Sequence, residues 1–452
     1  MKRVLVITYY WPPTGGSGVQ RWVKFAKYLP AQGWEPVVYT PENPEMTSVD
    51  RTLEKEIAPD LEVLKQPILE PYNLYRKLMG KGASTEVTPI SSGKKSFKQR
   101  LSLWVRGNIF VPDPRVTWVN PSVKYLKKYL KEHPVDVIVT TGPPQSMHLI
   151  GLRLHKDLGI PWIPDFRDPW TRMYYLKHLP LTAFTKKMLY RMEQKVLDGC
   201  STVLTVTPMV QEDYAARTKT PVAMITNGYD EEDFAEANHF QPPRTKSFSP
   251  EKRSKNFCPT PENENDLRFV ITHTGLLAAD GNPEVLWETL GEIVREDEEF
   301  RRNFTLRLVG KVDKAVLDSI DKAGLTPNLE LPGYMDHAAT VAQQCGAGML
   351  ILPLRNDPDY AIILPGKLFE YLASRRPVLG IGQTDGAMAR VISEAKAGVT
   401  AGWQDASVMK RFILEAWEQH KNGGIPCTEG DIDKYSRRSI TRQLAELLEK
   451  VS

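Results

Sequence analysis

The chain has 452 residues, enough for two domains of ordinary size. Lys and Arg number 59 against 55 Asp and Glu, and a formal net charge of +4 demands no nucleic-acid partner. With 41% hydrophobic and 25% charged residues, the composition excludes disorder throughout.

Four cysteines, Cys200, Cys258, Cys345 and Cys427, stand alone with no Cys-x-x-Cys pair. That argues against a zinc or redox motif and fits a reducing, cytoplasmic compartment. No run of about 20 apolar residues is present, so no membrane span is expected. The apolar run at 4–8 is too short for a signal-peptide core and reads as a first buried strand.

In chain order, the pattern predicts a strand over 4–8, a glycine-rich turn, a helix over 19–29 and a strand over 35–40. A helix over 123–132, a strand over 135–140 and a helix over 147–158 follow. Next come a strand over 162–165, a helix over 182–197 and strands over 202–207 and 222–226, ending at the Asn227-Gly228 turn signal. Residues 230–266 carry five prolines among many Lys, Ser, Asn and Glu, a composition that cannot form a core. The grammar restarts with strands over 269–272, 305–309, 328–331, 348–353 and 378–381. Helices over 283–295, 314–323, 337–345 and 366–375 alternate with them, and helices over 407–420 and 437–451 close the chain. Alternation of this kind specifies two doubly wound parallel sheets, which bind ligands outside the carboxyl ends of their strands.

The expected division is a first Rossmann-like domain over 1–228, a linker or insertion over 229–267 and a second domain over 268–430. The helix in 431–452 is expected to pack back on the first domain. Residues 75–115 fit neither sheet: nine Lys and Arg alternate there with Leu, Phe, Met, Ile and Trp. This is either a solvated surface insertion or a basic, aromatic patch that rests on an anionic membrane.

Three constellations could carry chemistry. Gly15, Gly16 and Gly18 follow the first strand and precede a helix, so backbone can approach a ligand near a helix N-terminus. No Gly-Lys-Ser/Thr follows, and Arg21 stands where a dinucleotide fingerprint needs glycine. In Leu364-Pro365-Gly366-Lys367-Leu368-Phe369-Glu370, Pro365-Gly366 opens a helix with Lys367 in its first turn and Glu370 three residues on. A lysine there opposes the helix dipole, which points to an anion shared by Lys367 and the helix end, with Glu370 accepting from a ribose diol. A surface Lys–Glu pair is the alternative. Asp165-Phe166-Arg167-Asp168 follows a predicted strand end; it is either an internal ion pair or a substrate site. His148 near a helix start reads as a capping or surface residue, and Asp357-Pro358-Asp359 reads as a loop, so no metal is expected.

The ordered set resembles the retaining glycosyltransferase family 4 of the GT-B fold, of the bacterial cell-surface polysaccharide type. Pro12-Pro13-Thr14-Gly15-Gly16 with Arg21 resembles its opening loop, and Asn227-Gly228-Tyr229-Asp230 its hinge motif. Thr274-Gly275-Leu276 with Asn282-Pro283-Glu284, and Pro365 through Ala373 with Arg376-Pro377-Val378, resemble its donor-domain motifs. The resemblance implies two Rossmann-like domains facing across a cleft. It implies a nucleotide-sugar as donor substrate with no further cofactor, and a sugar or lipid-linked acceptor. It assigns Lys367 to the donor diphosphate and Glu370 to the ribose, with Gly15, Gly16, Gly275 and Gly366 bringing backbone to the donor. Asp165, Arg167 and Asp168 replace the histidine that the family often carries at the donor–acceptor junction, and are the candidate catalytic residues. Asp168 or Asp165 would orient an acceptor hydroxyl, with Arg167 near a phosphate. Two departures stand out: Ile362 replaces the first acid of the family's paired glutamates, and residues 276–283 contain no basic side chain. The expected setting is the cytoplasm, on the inner face of the membrane. The competing functions are an isomerase like the UDP-sugar 2-epimerases and a catalytically weak nucleotide-sugar-binding scaffold.

Overall fold

The computed structural model describes residues 1–46, 49–70, 97–237, 268–423 and 430–452. Residues 75–96 of the basic segment and 238–267 of the expected linker lie outside the described residues. The chain divides into two compact units, Met1–Thr226 with Arg437–Ser452, and Asn227–Ser436.

The first unit opens with β1 (Lys2–Ile7), α1 (Ser17–Tyr28), β2 (Trp34–Pro41) and β3 (Glu62–Gln66). Then come α2 (Phe97–Asn108), α3 (Val119–Glu132), β4 (Val137–Gly142) and α4 (Ser146–Leu158). β5 (Trp162–Phe166), α5 (Ala183–Asp198), β6 (Val203–Thr205), α6 (Pro208–Ala215) and β7 (Val222–Met224) complete it. The seven strands pair in parallel in the order β3-β2-β1-β4-β5-β6-β7. Strand order reverses between β1 and β4, which makes the carboxyl ends of those two strands the ligand crevice.

The second unit begins with α7 (Glu231–Ala237), so the first part of the expected linker is ordered structure. β8 (Phe269–Thr274), α8 (Glu284–Glu296), α9 (Glu298–Asn303) and β9 (Phe304–Val309) follow. Next are α10 (Lys314–Lys322), β10 (Leu329–Gly333), α11 (His337–Cys345) and β11 (Met349–Pro353). α12 (Gly366–Ala373), β12 (Val378–Ile381), α13 (Ala387–Glu394), β13 (Gly398–Ala401) and α14 (Ala406–Lys421) finish it. Its six parallel strands run β10-β9-β8-β11-β12-β13, with the reversal between β8 and β11.

The last helix, α15 (Arg437–Val451), belongs to the first unit and buries Ile440, Leu444 and Leu448 in its core with Val4, Trp22 and Trp34. The spacing of these three residues, four apart, puts them on one helix face. In α1 the buried Val19, Trp22, Val23 and Ala26 form the matching stripe.

Candidate functional site

In the first unit, Gly16 caps α1 with φ 113°, a left-handed value that favours glycine, and no side chain caps the helix. Gly15 lies in the same turn. Past β5, the structure separates the three charges of Asp165-Phe166-Arg167-Asp168.

Asp165 is fully buried. It accepts from Arg21 Nε and Nη2, both at 3.1 Å, from Trp22 Nε1 at 2.7 Å and from Thr141 Oγ1 at 3.1 Å. Three of these donors converge on Oδ2 and one on Oδ1. Arg21 also donates to the carbonyls of Thr226 at 2.8 Å and Ile225 at 3.0 Å. Of the two readings of Asp165, the structure has the internal ion pair, but its partner is Arg21, 144 positions away, and not the neighbouring Arg167.

Arg167 and Asp168 are half-buried at the carboxyl edge of the sheet. Arg167 Nη2 donates to the Pro143 carbonyl at 2.6 Å, and its Nε is buried without a hydrogen-bond partner. The guanidinium abuts Gly18 in the first turn of α1, where a Cβ would come within 1.7 Å of Nη1. Burial lowers the Arg167 pKa, with Asp168 and Asp165 opposing. Among the described residues no hydrogen bond or ion pair reaches the Asp168 carboxylate. Burial raises its pKa, the Arg167 charge lowers it and Asp165 raises it further.

The loop bearing Asp168 is anchored from behind. Trp170 N donates to Tyr214 Oη at 3.2 Å, and Thr171 N and Oγ1 donate to the buried Glu193 at 3.0 and 2.6 Å. Glu193 also accepts from Tyr214 Oη at 3.0 Å and Arg217 Nη2 at 2.6 Å.

His148 is fully buried, neither capping nor superficial as its sequence position suggests. Burial pushes its pKa down to about 3, so it is neutral. Trp162 Nε1 donates to Thr140 Oγ1 at 2.9 Å, and Thr140 Oγ1 lies 2.8 Å from His148 Nδ1. Either atom can donate across that contact, according to the imidazole tautomer, and the other ring nitrogen is Nε2. That Nε2 and both amide atoms of Gln145 are buried without partners beside Gly142.

In the second unit the donor-side candidates meet at the β8–β11 reversal. Lys367 Nζ donates to the Thr274 carbonyl at 2.7 Å and lies over Gly275, where a Cβ would stand 2.9 Å from it. Gly275 has φ 98°. Burial lowers the Lys367 pKa to about 8, against the pull of Glu370. Gly366 is the first residue of α12, and no side chain caps that end. Glu370 accepts from His337 Nε2 at 3.2 Å and Gln344 Nε2 at 3.0 Å. Tyr371 Oη receives the Thr274 amide at 2.9 Å and thereby fixes the carbonyl's strand end. Ile362 is buried, and the Lys311 side chain is exposed. Asp357 Oδ1 accepts from Asp359 N at 2.9 Å, so Asp357-Pro358-Asp359 is a self-capped turn. Among the described residues no group of three or more His, Cys, Asp or Glu could hold a metal ion. No helix among them is long and apolar enough to cross a membrane.

Sequence reasoning missed Arg21 as the partner of Asp165, and Gln145, His337 and Gln344 altogether. Arg21, His337 and Gln344 sit on helices and Gln145 just before one, and the local pattern carries no sign of the distant partner.

Residues 16–233 match the family model for Glycosyltransferase Family 4. Among solved structures, sucrose-phosphate synthase from Thermosynechococcus elongatus is 13% identical, with a TM-score of 0.60 and coverage of 100% of this chain and 99% of that one. A glycosyltransferase from Rickettsia africae is 15% identical, with a TM-score of 0.59 and coverage of 100% and 98%. An S. aureus TarM mutant in complex with fondaparinux, alpha-GlcNAc-glycerol and UDP is 10% identical, with a TM-score of 0.53 and coverage of 99% and 100%. Comparison with curated protein sequences gives no match. The chain has the GT-B fold, two Rossmann-like units of seven and six parallel strands.

Proposed function

We propose that this chain is a retaining glycosyltransferase that moves a sugar from a nucleotide-sugar to a hydroxyl acceptor, in the synthesis of a cell-surface polysaccharide. The observation that carries the reading is Lys367 and Glu370 side by side on the uncapped α12, at the strand reversal of the second unit. A diphosphate needs a cation and a helix N-terminus, and a ribose diol needs an acceptor one turn on.

In the proposed reaction the bond from the anomeric carbon to the phosphate oxygen breaks, and the acceptor oxygen attacks the same face. The acceptor proton passes to the departing phosphate. Lys367 and the amides at Gly275 and Gly366 meet the growing charge. Asp168 orients the acceptor hydroxyl. Arg167 offers its Nε to a phosphate or sugar oxygen. Gly15 and Gly16 let the backbone after β1 approach the transferred sugar. Asp165 holds the site together from beneath.

A membrane-facing surface fits a lipid-linked acceptor. α2 exposes Leu101 and Trp104, and Ile109 is exposed just past its end. Asn108 ties its end to the start of α5, donating to the Pro180 carbonyl at 2.9 Å and accepting from Thr182 N at 2.9 Å. There Phe184 is exposed beside the exposed Lys186 and Lys187. Apolar tips among cations suit an anionic bilayer surface. Co-sedimentation with phosphatidylglycerol vesicles should fall with salt and when Lys186 and Lys187 are neutralised.

A thermal-shift series over nucleotides and nucleotide sugars tests the donor assignment, because a ligand of the folded state raises its midpoint. One nucleoside diphosphate family should shift the wild type and not Lys367→Ala. No shift with any nucleotide sugar would end the reading. Radiolabelled donor should then pass to a lipid-linked acceptor; conversion of UDP-GlcNAc alone to an epimer would favour the isomerase, and binding without turnover the scaffold.

A further inference from the structure

Lys367 and Glu370 lie one helical turn apart on α12, the spacing at which opposite charges pair. They do not pair. Lys367 Nζ donates to the Thr274 carbonyl at 2.7 Å, and the Glu370 carboxylate takes its donors from α11. His337 Nε2 stands 3.2 Å from Glu370 Oε1, and Gln344 Nε2 stands 3.0 Å from Oε2. The same Gln344 amide reaches Thr274 Oγ1 at 3.2 Å, so α11 holds the end of β8 and the carboxylate together. On its far side, His337 Nδ1 is 3.9 Å from Asp233 Oδ2, and α7, which carries Asp233, packs on α11.

We propose that His337 is a positioning residue for nucleotide recognition. It holds the carboxylate of Glu370 together with Gln344 and presents it to a vicinal diol, while Asp233 faces the imidazole from the far side. The inference rests on the reading of Glu370 as the ribose acceptor. A glutamate without the donors of His337 and Gln344 would lose rotamer entropy on binding the diol, while Lys367 would keep its place on the Thr274 carbonyl. His337 therefore acts on the diol subsite and leaves the diphosphate subsite alone.

Titration calorimetry with UDP and GDP, each beside its 2′,3′-dideoxy counterpart, reads this directly. The wild type should bind the better ribonucleotide about tenfold or more tightly than its dideoxy form. In His337→Ala that ratio should collapse toward one, with the dideoxy affinity unchanged; the unchanged value also shows that the variant is folded. Asp233→Asn should lower the ratio in the same direction by less, and His337→Gln, which keeps a donor, should restore part of it. A His337→Ala protein that keeps the full ratio, or loses both affinities equally, overturns the positioning role while the donor assignment stands. Binding of neither UDP nor GDP to the wild type overturns the donor assignment and the inference with it.

Discussion

The Asp165 carboxylate receives Arg21 Nε and Nη2, each at 3.1 Å, with both side chains fully buried. The pair joins α1, β4 and β5 to the backbone after β7, because Arg21 also binds the carbonyls of Ile225 and Thr226. Removing one partner strands the other charge in the interior, which costs about 3–5 kcal/mol. Asp165→Ala and Arg21→Ala should therefore each lower the thermal midpoint by about 10 °C, at roughly 2–4 °C per kcal/mol for a domain of this size. Differential scanning calorimetry checks this; an unchanged midpoint with lost turnover would return Asp165 to the acceptor site.

Asp168 should behave in the opposite way. Burial holds its folded-state pKa above the ordinary carboxyl value. The folded state thus binds the proton more tightly than the unfolded chain. The stability this brings is present at low pH and is lost as pH rises through the raised pKa. At neutral pH the ionised carboxylate is a liability for folding, so Asp168→Asn should be as stable as the wild type or more so. Its transfer rate should fall about 100-fold or more, the scale of a misplaced acceptor. A variant with normal turnover removes Asp168 from the reaction.

Much of the fold was legible because the central strands are continuous apolar runs between turn signals. The strands that were missed, β3 and β13, lie at the edges of their sheets. Edge strands are covered on fewer sides, and Glu62, Lys65 and Gln66 in β3 dilute the pattern accordingly. At the candidate site, Lys367 and Glu370 were visible because one helix carries both. The pairing of Asp165 was not, because the nearest charge in sequence, Arg167, is not the nearest in space. Nor did any local pattern mark Gln344 or His337, whose meaning comes only from α11 packing beside α12.

Gly18 offers a steric test of Arg167. A Cβ there would stand 1.7 Å from Nη1 and 2.9 Å from Cζ. Gly18→Ala must move the guanidinium, the far end of a flexible side chain, from its place on the Pro143 carbonyl. Turnover should fall to the level of Arg167→Ala. The double variant should be no slower than Arg167→Ala alone, since residues in contact are not additive. Additive losses in steady-state rates would place the effect of Gly18 elsewhere.

Lys367 gives donor binding a pH signature. Burial lowers its pKa to about 8, and the ammonium rests on the Thr274 carbonyl. Below that value the lysine is charged and ready for a diphosphate. Above it the protein must take up a proton to bind, so affinity should fall about tenfold per pH unit once pH passes 8. The ligand contributes little slope in that range, because a terminal phosphate has its last pKa at about 6. Lys367→Arg keeps a charge with a pKa of about 12 or more and should flatten the profile between pH 7 and 9.5. Lys367→Ala should be flat as well, but weaker throughout. Stability moves the other way: a lysine whose folded pKa lies below its unfolded value costs most at low pH, and the cost is relieved as pH rises from about 8 toward 10.5. Calorimetric affinities that fall with pH while the apoprotein midpoint gains relative to Lys367→Ala would carry both signs of one titration, and a pH-independent wild-type affinity would take Lys367 out of the donor site.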